Sequence, residues 1–216
     1  MRRFCGPCFL LPVLCVLTGG LDLTWAQTQA MWWLNEHRGL LRPQPQIAHK
    51  YRNTSSRTED LSGMVKSLGG NDVHIAVIKE ASREFEVDPI FIASVVSVES
   101  SFRPRVKSSI GAKGLMQIRA VVINTLGVTD PWNSYENIMA GTAYLRHCFE
   151  RYAKHRHSTF LALAAYNVGP NRPSRLLRSP AAKRFVKKVL TIYNHYTAAP
   201  IPLKRELLVR LDRPRY

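Results

Sequence analysis

The chain has 216 residues, of which 45% are apolar, and its 31 lysines and arginines outnumber its 15 aspartates and glutamates to give a net charge of +16. This length suits one ordinary domain with extensions and excludes a second large domain. The apolar content is sufficient for a real core, which excludes a wholly disordered chain.

The first 26 residues have the pattern of a secretory signal peptide. Arg2 and Arg3 form a basic start, an apolar stretch follows from 9 to 17, and Ala26 is a small residue at the expected cleavage point. The apolar stretch is too short for a comfortable membrane span. We therefore predict a cleaved leader over 1–26 and an exported protein, with an uncleaved membrane anchor as the alternative.

The cysteines are consistent with this interpretation. Cys5, Cys8 and Cys15 fall within the predicted leader, so the mature chain would keep only Cys148. No intramolecular disulfide could then form. Cys148 lies in an apolar helical stretch, which favours a buried structural thiol over a nucleophile.

Two segments outside the main pattern lack a clear periodicity. Residues 27–73 mix polar residues with proline and end in the turn-forming Gly-Gly-Asn-Asp of 69–72, so we expect a flexible lead-in. Residues 198–216 contain two early prolines and then a basic run, and we expect a tail there.

Helical periodicity dominates from residue 74 to residue 197. We predict a first helix ending near Val87, a second that starts at Asp88-Pro89 and carries Glu99, and further helices in the order 115–126, 134–152, 158–167 and 180–196. Gly127 is the expected C-cap of the third. Helices that follow one another without strand alternation predict a mainly α globular domain.

Glu99 is the most informative residue of this region. Asp88 is an N-cap followed by proline at the first helical position, and an almost continuous apolar run then leads to Glu99. Burial and the negative end of the helix dipole both disfavour the carboxylate anion, so the pKa of Glu99 should be raised. A raised pKa is what a general acid requires.

Four segments in fixed order indicate what this acid does. They are ESSF at 99–102, GAKGLMQI at 111–118, NIMAGTAYL at 137–145 and AAYNVGP at 164–170. With these segments the chain resembles the soluble, goose-lysozyme-like (SLT) lytic transglycosylases over 74–197. The resemblance implies a lysozyme-like helical fold and cleavage of the MurNAc-GlcNAc β-1,4 bond of peptidoglycan, with formation of a 1,6-anhydro-MurNAc end.

The family also implies roles for individual residues. Glu99 would be the single catalytic acid and base, with the substrate's acetamido group in place of a second carboxylate. Tyr166 would bring its hydroxyl towards the Glu99 carboxyl, and Asn167 would cap its helix or support the site. Ser108 would orient the acetamido group, Gln117 would be a polar contact in the cleft, and Ile118 would belong to the wall or core. Neither a metal nor a cofactor is implied.

The chain departs from the family pattern in two places. The usual Glu-Thr-Arg-x-Tyr-Val stretch is replaced by AAKRFV at 181–186, which loses the glutamate. Arg119 and Ala120 replace the more common apolar residue and proline after the Gln-Ile pair. The second change leaves substrate preference near that wall open.

The alternatives concern the acceptor and the role. A hydrolytic lysozyme would use the same acid with water as the acceptor, and a weakly active wall-binding factor of a secretion or conjugation apparatus is an answer of another class. The basic charge predicts an acidic partner. Since no nucleic-acid-binding motif is recognisable, we expect peptidoglycan glycan strands at the periplasm or cell envelope and no nucleic acid.

Overall fold

The computed structural model describes residues 55–197 and 200–202. The predicted leader, most of the predicted lead-in and nearly all of the predicted tail lie outside these residues. Within them the chain is helical, and the only β-type pairs are two isolated bridges. The helices are α1 (Ser55–Ser67), α2 (Asp72–Phe85), α3 (Pro89–Ser100), α4 (Ala120–Leu126), α5 (Ser134–Arg151), α6 (Ser158–Val168), α7 (Pro173–Leu176) and α8 (Pro180–Tyr196).

Five helices pack in a closed cycle around one core. Helix α2 packs on α5, α5 on α6, α6 on α8, α8 on α3, and α3 returns to α2. The core between them is built from fully buried aliphatic side chains, including Ile78, Ile92, Leu145 and Leu161. None of the helices in this part of the chain is both long and apolar enough to cross a membrane.

Helix α3 begins as the sequence predicts. The Asp88 side chain accepts a hydrogen bond from the backbone N–H of Ile90, and Pro89 occupies the first turn, where no intrahelical donor is needed. The helix is buried on nearly every side. Its buried Ser94 donates from Oγ to the Ile90 carbonyl at 2.7 Å, so a hydroxyl is accommodated in the apolar interior.

The predicted flexible lead-in is wrong for its last part. Residues 55–67 form helix α1, in which Leu61, Met64 and Val65 are at most 1% exposed. Their spacing of three and four places them on one face, and that face packs on α2 and α3. The residues around these three positions are mostly polar, so the narrow apolar stripe is difficult to recognise in the sequence.

The link from α1 to α2 is also ordered. The Asn71 side chain accepts from the backbone N–H of His74, and the His74 ring accepts from the backbone N–H of Asn71, so a reciprocal capping box starts α2. Gly70 lies beside the side chains of Val65 and Phe102, and a Cβ at this position would collide with both. The turn therefore joins α1 to the segment that follows α3.

The remaining boundaries agree with the prediction to within two residues, with two exceptions. Residues 115–119 lie in a turn, and α4 starts only at Ala120, because the chain pairs Lys113 with Ile118 before it becomes helical. Gly127, with φ of 67°, is the predicted C-cap. The short helix α7 was not predicted.

Met116 joins the loop before α4 to helices α5 and α6. Its backbone N–H donates to Asn137 Oδ1 at 2.8 Å, and its carbonyl accepts from the Tyr166 hydroxyl at 2.7 Å. Its side chain is fully buried, and the Thr142 hydroxyl lies 3.7 Å from its sulfur. Both backbone polar groups of this buried residue are thus satisfied by side chains distant in sequence.

Two glycines make this attachment fit. A Cβ at Gly141 would meet the Met116 side chain, and a Cβ at Gly114 would meet Asn137 and the Pro131 carbonyl. Asn137 is 1% exposed and uses both amide hydrogens as well, because Nδ2 donates to the carbonyls of Lys113 at 3.0 Å and Pro131 at 2.7 Å. The segments 111–118, 137–145 and 164–170 therefore form one packed unit.

We expect Asn137→Ala to lower the free energy of unfolding by about 2 to 4 kcal/mol, because it leaves the buried Met116 N–H and the partly buried Pro131 carbonyl without their partner and removes one of the two donors to the Lys113 carbonyl. Chemical denaturation measures this. Asn124→Ala, on the exposed side of α4, is the control and should change stability by no more than about 0.5 kcal/mol. Equal effects of the two substitutions would contradict the assigned role of Asn137.

Candidate active site

Glu99 occupies the last turn of α3, as predicted, and its side chain is partly buried. Burial raises the pKa of the Glu99 carboxyl to about 8, and the nearby positive charge of Arg119 opposes this rise. The C-terminal end of the helix acts in the same direction as burial, because its partial negative charge disfavours an anion. The carboxyl is therefore mostly protonated at neutral pH, which confirms the predicted direction.

The backbone around this carboxyl adopts unusual conformations. Helix α3 is ended by Ser101 and Phe102, two consecutive residues with left-handed φ of 52° and 59°. Gln117 is also left-handed, with φ of 49°. Such conformations cost on the order of 1 kcal/mol or more each in residues with a side chain, and they persist where packing fixes them. Their concentration in two of the matched segments is typical of a functional site.

Tyr166 is 6% exposed and lies close enough to Glu99 for the carboxylate charge to raise the pKa of the phenol further, beyond the larger effect of burial. Its hydroxyl donates its proton to the Met116 carbonyl at 2.7 Å, and the predicted approach of this hydroxyl to the Glu99 carboxyl stays a prediction. Its ring lies beside Tyr144 and is stacked on Phe185. Tyr166 thus fixes the loop that faces the acid.

Gln117 is partly buried, but its amide serves the loop itself. Nε2 donates to the carbonyls of Val106 at 2.8 Å and Gly114 at 2.9 Å, so only the amide oxygen is left to meet a ligand. Ile118 is 2% exposed. Its side chain therefore belongs to the core, which is one of the two positions expected for it, and a contact of Ile118 with the substrate stays a prediction.

Ser108 lies in the loop that precedes the glycine turn. Its Oγ accepts from the backbone N–H of Ala112 at 3.0 Å, and its own N–H donates to the Ala112 carbonyl at 2.9 Å. In the part of the chain that the structure describes, its hydroxyl proton has no recorded acceptor. The hydroxyl can therefore support the loop and donate to a ligand at the same time.

Asn167 is partly buried at the end of α6. The helix continues through Val168 and ends at Gly169, whose φ is 89° and whose N–H donates to the Ala165 carbonyl at 2.8 Å. The capping role considered for Asn167 is therefore wrong. No hydrogen bond of its side chain is recorded among residues 55–197 and 200–202, and support of the site stays a prediction.

Two surface clefts lie elsewhere. One, of about 570 Å³, is bounded by α2, α4 and α5 and includes Phe85 and Met139; the other, of about 620 Å³, includes Arg151, Lys154 and Arg172. Glu99 lines neither of them. We place the site at Glu99 because burial raises the pKa of this carboxyl to about 8 and because Tyr166 and Arg119 of other matched or adjoining segments lie near it. Within the same residues no group of three or more His, Cys, Asp or Glu could hold a metal ion.

One charged residue of the site has only an indirect signal in the sequence. Arg119 departs from the family pattern, and the structure brings its charge close enough to act on Glu99, Tyr144 and Tyr166. These residues come from four different segments. Their proximity could not be read from spacing along the chain.

The raised pKa has a consequence for stability. The folded state holds the Glu99 proton to about pH 8, while the unfolded chain releases it near pH 4.5, so this group makes folding less favourable as pH rises between these values. Glu99→Gln cannot ionise. Its stability relative to wild type should therefore increase by roughly 1 to 3 kcal/mol between pH 5 and pH 7.5.

Denaturant titrations at the two pH values measure this difference. Glu84→Gln, on the exposed side of α2, is the matched control and should leave stability within about 0.5 kcal/mol of wild type at both. A Glu99→Gln difference that does not change with pH would mean that the carboxyl has no raised pKa.

Tyr166→Phe should lower the free energy of unfolding by about 1 to 2 kcal/mol, because it leaves the buried Met116 carbonyl without its donor while keeping the ring. Tyr135→Phe removes an exposed hydroxyl that donates to Glu80 and should cost less than about 0.5 kcal/mol. Thermal or chemical denaturation compares the two. A Tyr166→Phe protein as stable as wild type would show that the attachment of the loop does not depend on this bond.

The fold has a counterpart among solved structures. The 70 kDa soluble lytic transglycosylase of Escherichia coli superposes with a TM-score of 0.50 at 19% sequence identity, over 79% of this chain and 34% of that chain. At this identity the likeness concerns the fold alone. It confirms the predicted mainly α, lysozyme-like architecture.

Relatives with closer sequences are transglycosylases. One named transglycosylase, of Enterobacteria phage PRD1, is 40% identical over 95 residues, which make up 44% of this chain and 34% of the phage protein. The membrane-bound lytic murein transglycosylase F of Desulfosudis oleivorans is 41% identical over 96 residues, 43% of this chain and 21% of the relative. The matched part thus spans about a third or less of these relatives.

The motifs that carry the resemblance lie within a single family match. The model of the transglycosylase SLT domain matches residues 76–188. These include Glu99, Tyr166 and the loop of residues 111–119, called here the Met116 loop. Since this match covers more than half of the 216 residues, the chain belongs to the transglycosylase SLT domain family.

Proposed function

We propose that this protein is a lytic transglycosylase that cleaves the β-1,4 bond between MurNAc and GlcNAc in peptidoglycan and leaves a 1,6-anhydro-MurNAc end. The observation that carries the proposal is the partly buried carboxyl of Glu99, protonated up to about pH 8. It lies in the segment through which the chain matches its family. Relatives named murein transglycosylases support the substrate class.

The first step needs a proton donor. Glu99 protonates the oxygen of the glycosidic bond, the bond from C1 of MurNAc to that oxygen breaks, and GlcNAc leaves with a free 4-hydroxyl. Positive charge develops at C1 of MurNAc. The substrate's own acetamido oxygen stabilises it, which agrees with Glu99 having no second carboxylate among the described groups that shift its pKa.

The second step reverses the role of the same carboxyl. Glu99, now ionised, takes the proton of the MurNAc 6-hydroxyl as this oxygen attacks C1 and closes the anhydro ring. The carboxyl is protonated again at the end, and no water is consumed. A group whose pKa lies near the working pH can serve in both directions, which a carboxyl of ordinary pKa does less well.

The surrounding residues suit the handling of a glycan. The Ser108 hydroxyl is able to donate to the acetamido oxygen, and the Gln117 amide oxygen is able to accept from a sugar hydroxyl. Ile110, which directly precedes the 111–118 segment, and Val168, in the 164–170 segment, are 72% and 39% exposed and offer apolar surface to sugar faces. Asn167 lies between Tyr166 and Val168 and supports this side of the site.

We also propose that the protein acts at the bacterial cell envelope. The predicted leader over 1–26 favours export, and the net charge of +16 favours adsorption to an anionic wall polymer. The relatives include proteins named membrane-bound and proteins named soluble. Fractionation of the cell envelope would distinguish attachment to a membrane or to a secretion apparatus from a soluble location.

The test is digestion of purified peptidoglycan, with mass analysis and a reducing-end assay of the products. Wild type should release muropeptides that are one water lighter than hydrolysis products and lack a free reducing end. Glu99→Gln should lower the rate by about a hundredfold or more, because the amide has no acidic proton. Glu84→Gln, which removes an exposed carboxylate, should leave the rate unchanged.

Each other result selects a different conclusion. Products with a free reducing end would replace the proposal with a hydrolytic lysozyme. Binding to the wall without cleavage would favour an accessory role. A Glu99→Gln protein that cleaves at the wild-type rate, free of contaminating enzyme, would remove Glu99 from the mechanism.

A further inference from the structure

Arg119 stands at the junction between the Met116 loop and α4. It is the N-cap residue of that helix, but its side chain makes no capping hydrogen bond and is partly buried. The guanidinium instead lies against the backbone at the end of α6. A methyl group at Gly169 would come within 3.4 Å of Arg119 Nη2.

The guanidinium is thus placed between the segments that build the site. Its loop carries Met116 and Gln117, and Gly169 follows directly after Asn167 and Val168 on the other side. Its positive charge acts on Glu99 and on the phenols of Tyr144 and Tyr166.

The donors of Arg119 are not used by any of the residues that the structure describes. Over residues 55–197 and 200–202, no hydrogen bond and no ion pair within 4.0 Å is recorded for its guanidinium, whereas Arg146, also partly buried, pairs with Glu86 and Glu150. A partly buried guanidinium with five N–H donors is a strong site for a planar carboxylate. A role in stabilising the fold does not account for this arrangement.

A role limited to adjusting the pKa of Glu99 does not account for the position of Arg119 either. The charge of Arg119 lowers the pKa of Glu99, yet that pKa is still raised to about 8 because burial is the larger effect. A positive charge beside a general acid works against the acid unless something else neutralises it. A negatively charged group of the ligand would do so.

We propose that Arg119 is a specificity-determining residue that binds a carboxylate of the glycan strand beside the bond that is cleaved. The inference rests on the proposed function. Two sources share this chemistry: the free lactyl carboxylate of a MurNAc without a peptide, and the carboxylates of an attached peptide stem. Neutral glycans offer neither group.

Binding to inactive protein tests this without turnover. Calorimetry with Glu99→Gln would use three ligands: an uncharged chitooligosaccharide, a peptidoglycan oligosaccharide stripped of its peptides, and the same oligosaccharide with its stems. Arg119→Met is then added to Glu99→Gln. The control is Arg83→Met, which removes the same charge. Arg83 is exposed in the last turn of α2, near the start of α3, whereas Glu99 lies at the end of α3.

We expect Arg119→Met to weaken binding of at least one carboxylate-bearing ligand about tenfold or more and to leave the chitooligosaccharide within about twofold. Loss confined to the stripped ligand identifies the lactyl group, and loss confined to the stem-bearing ligand identifies the stem. Arg119→Lys keeps the charge without the planar fork and should fall between wild type and Arg119→Met. Arg83→Met should change none of the three affinities beyond about twofold.

Two results would overturn the inference. One is an equal loss for all three ligands, and the other is no loss for either carboxylate-bearing ligand from a folded Arg119→Met protein. If Glu99→Gln alone binds none of the ligands, the proposed function itself fails, and the inference loses its basis. Circular dichroism confirms that each variant is folded.

Discussion

The attachment of Met116 is the interaction on which the site depends. One backbone group of this residue is held by Asn137 from α5 and the other by Tyr166 from α6, while Gly141 leaves space for its side chain. These bonds attach the loop that carries Gln117 and Arg119 to α5 and α6. The segments 111–118, 137–145 and 164–170 thus form one packed unit. Glu99, at the end of α3, lies near this unit.

The electrostatics of the site follow from this packing. Helix α3 is enclosed by other helices over most of its length, so Glu99 reaches a poorly solvated position and retains its proton. The hydroxyl of the neighbouring Tyr166 donates to the Met116 carbonyl, so its proton is not available to the Glu99 carboxyl. The one nearby cation, among the groups that shift the pKa of Glu99, is Arg119. The site therefore combines a neutral acid with a permanent positive charge.

Sequence reasoning succeeded where the determinants are local. The Asp88-Pro89 start, the Gly127 cap and the 180–196 helix depend on residues within one turn of each boundary, and all are observed. It failed where a side chain chooses among distant partners. The Tyr166 hydroxyl and Met116 are 50 positions apart, so their bond depends on the fold. Helix α1 was missed because its three core residues form a narrow stripe in a polar segment.

That helix changes what counts as the structural unit of this protein. The family match starts at residue 76, inside α2, whereas Gly70, in the turn before α2, lies beside both Val65 of α1 and Phe102, three positions beyond Glu99. A fragment cut at the start of the match would lose the capping box of α2 and the surface on which Phe102 rests. The left-handed pair Ser101-Phe102 would then lack one of the contacts that hold it. The boundary at which this domain can be excised or transplanted thus lies before α1.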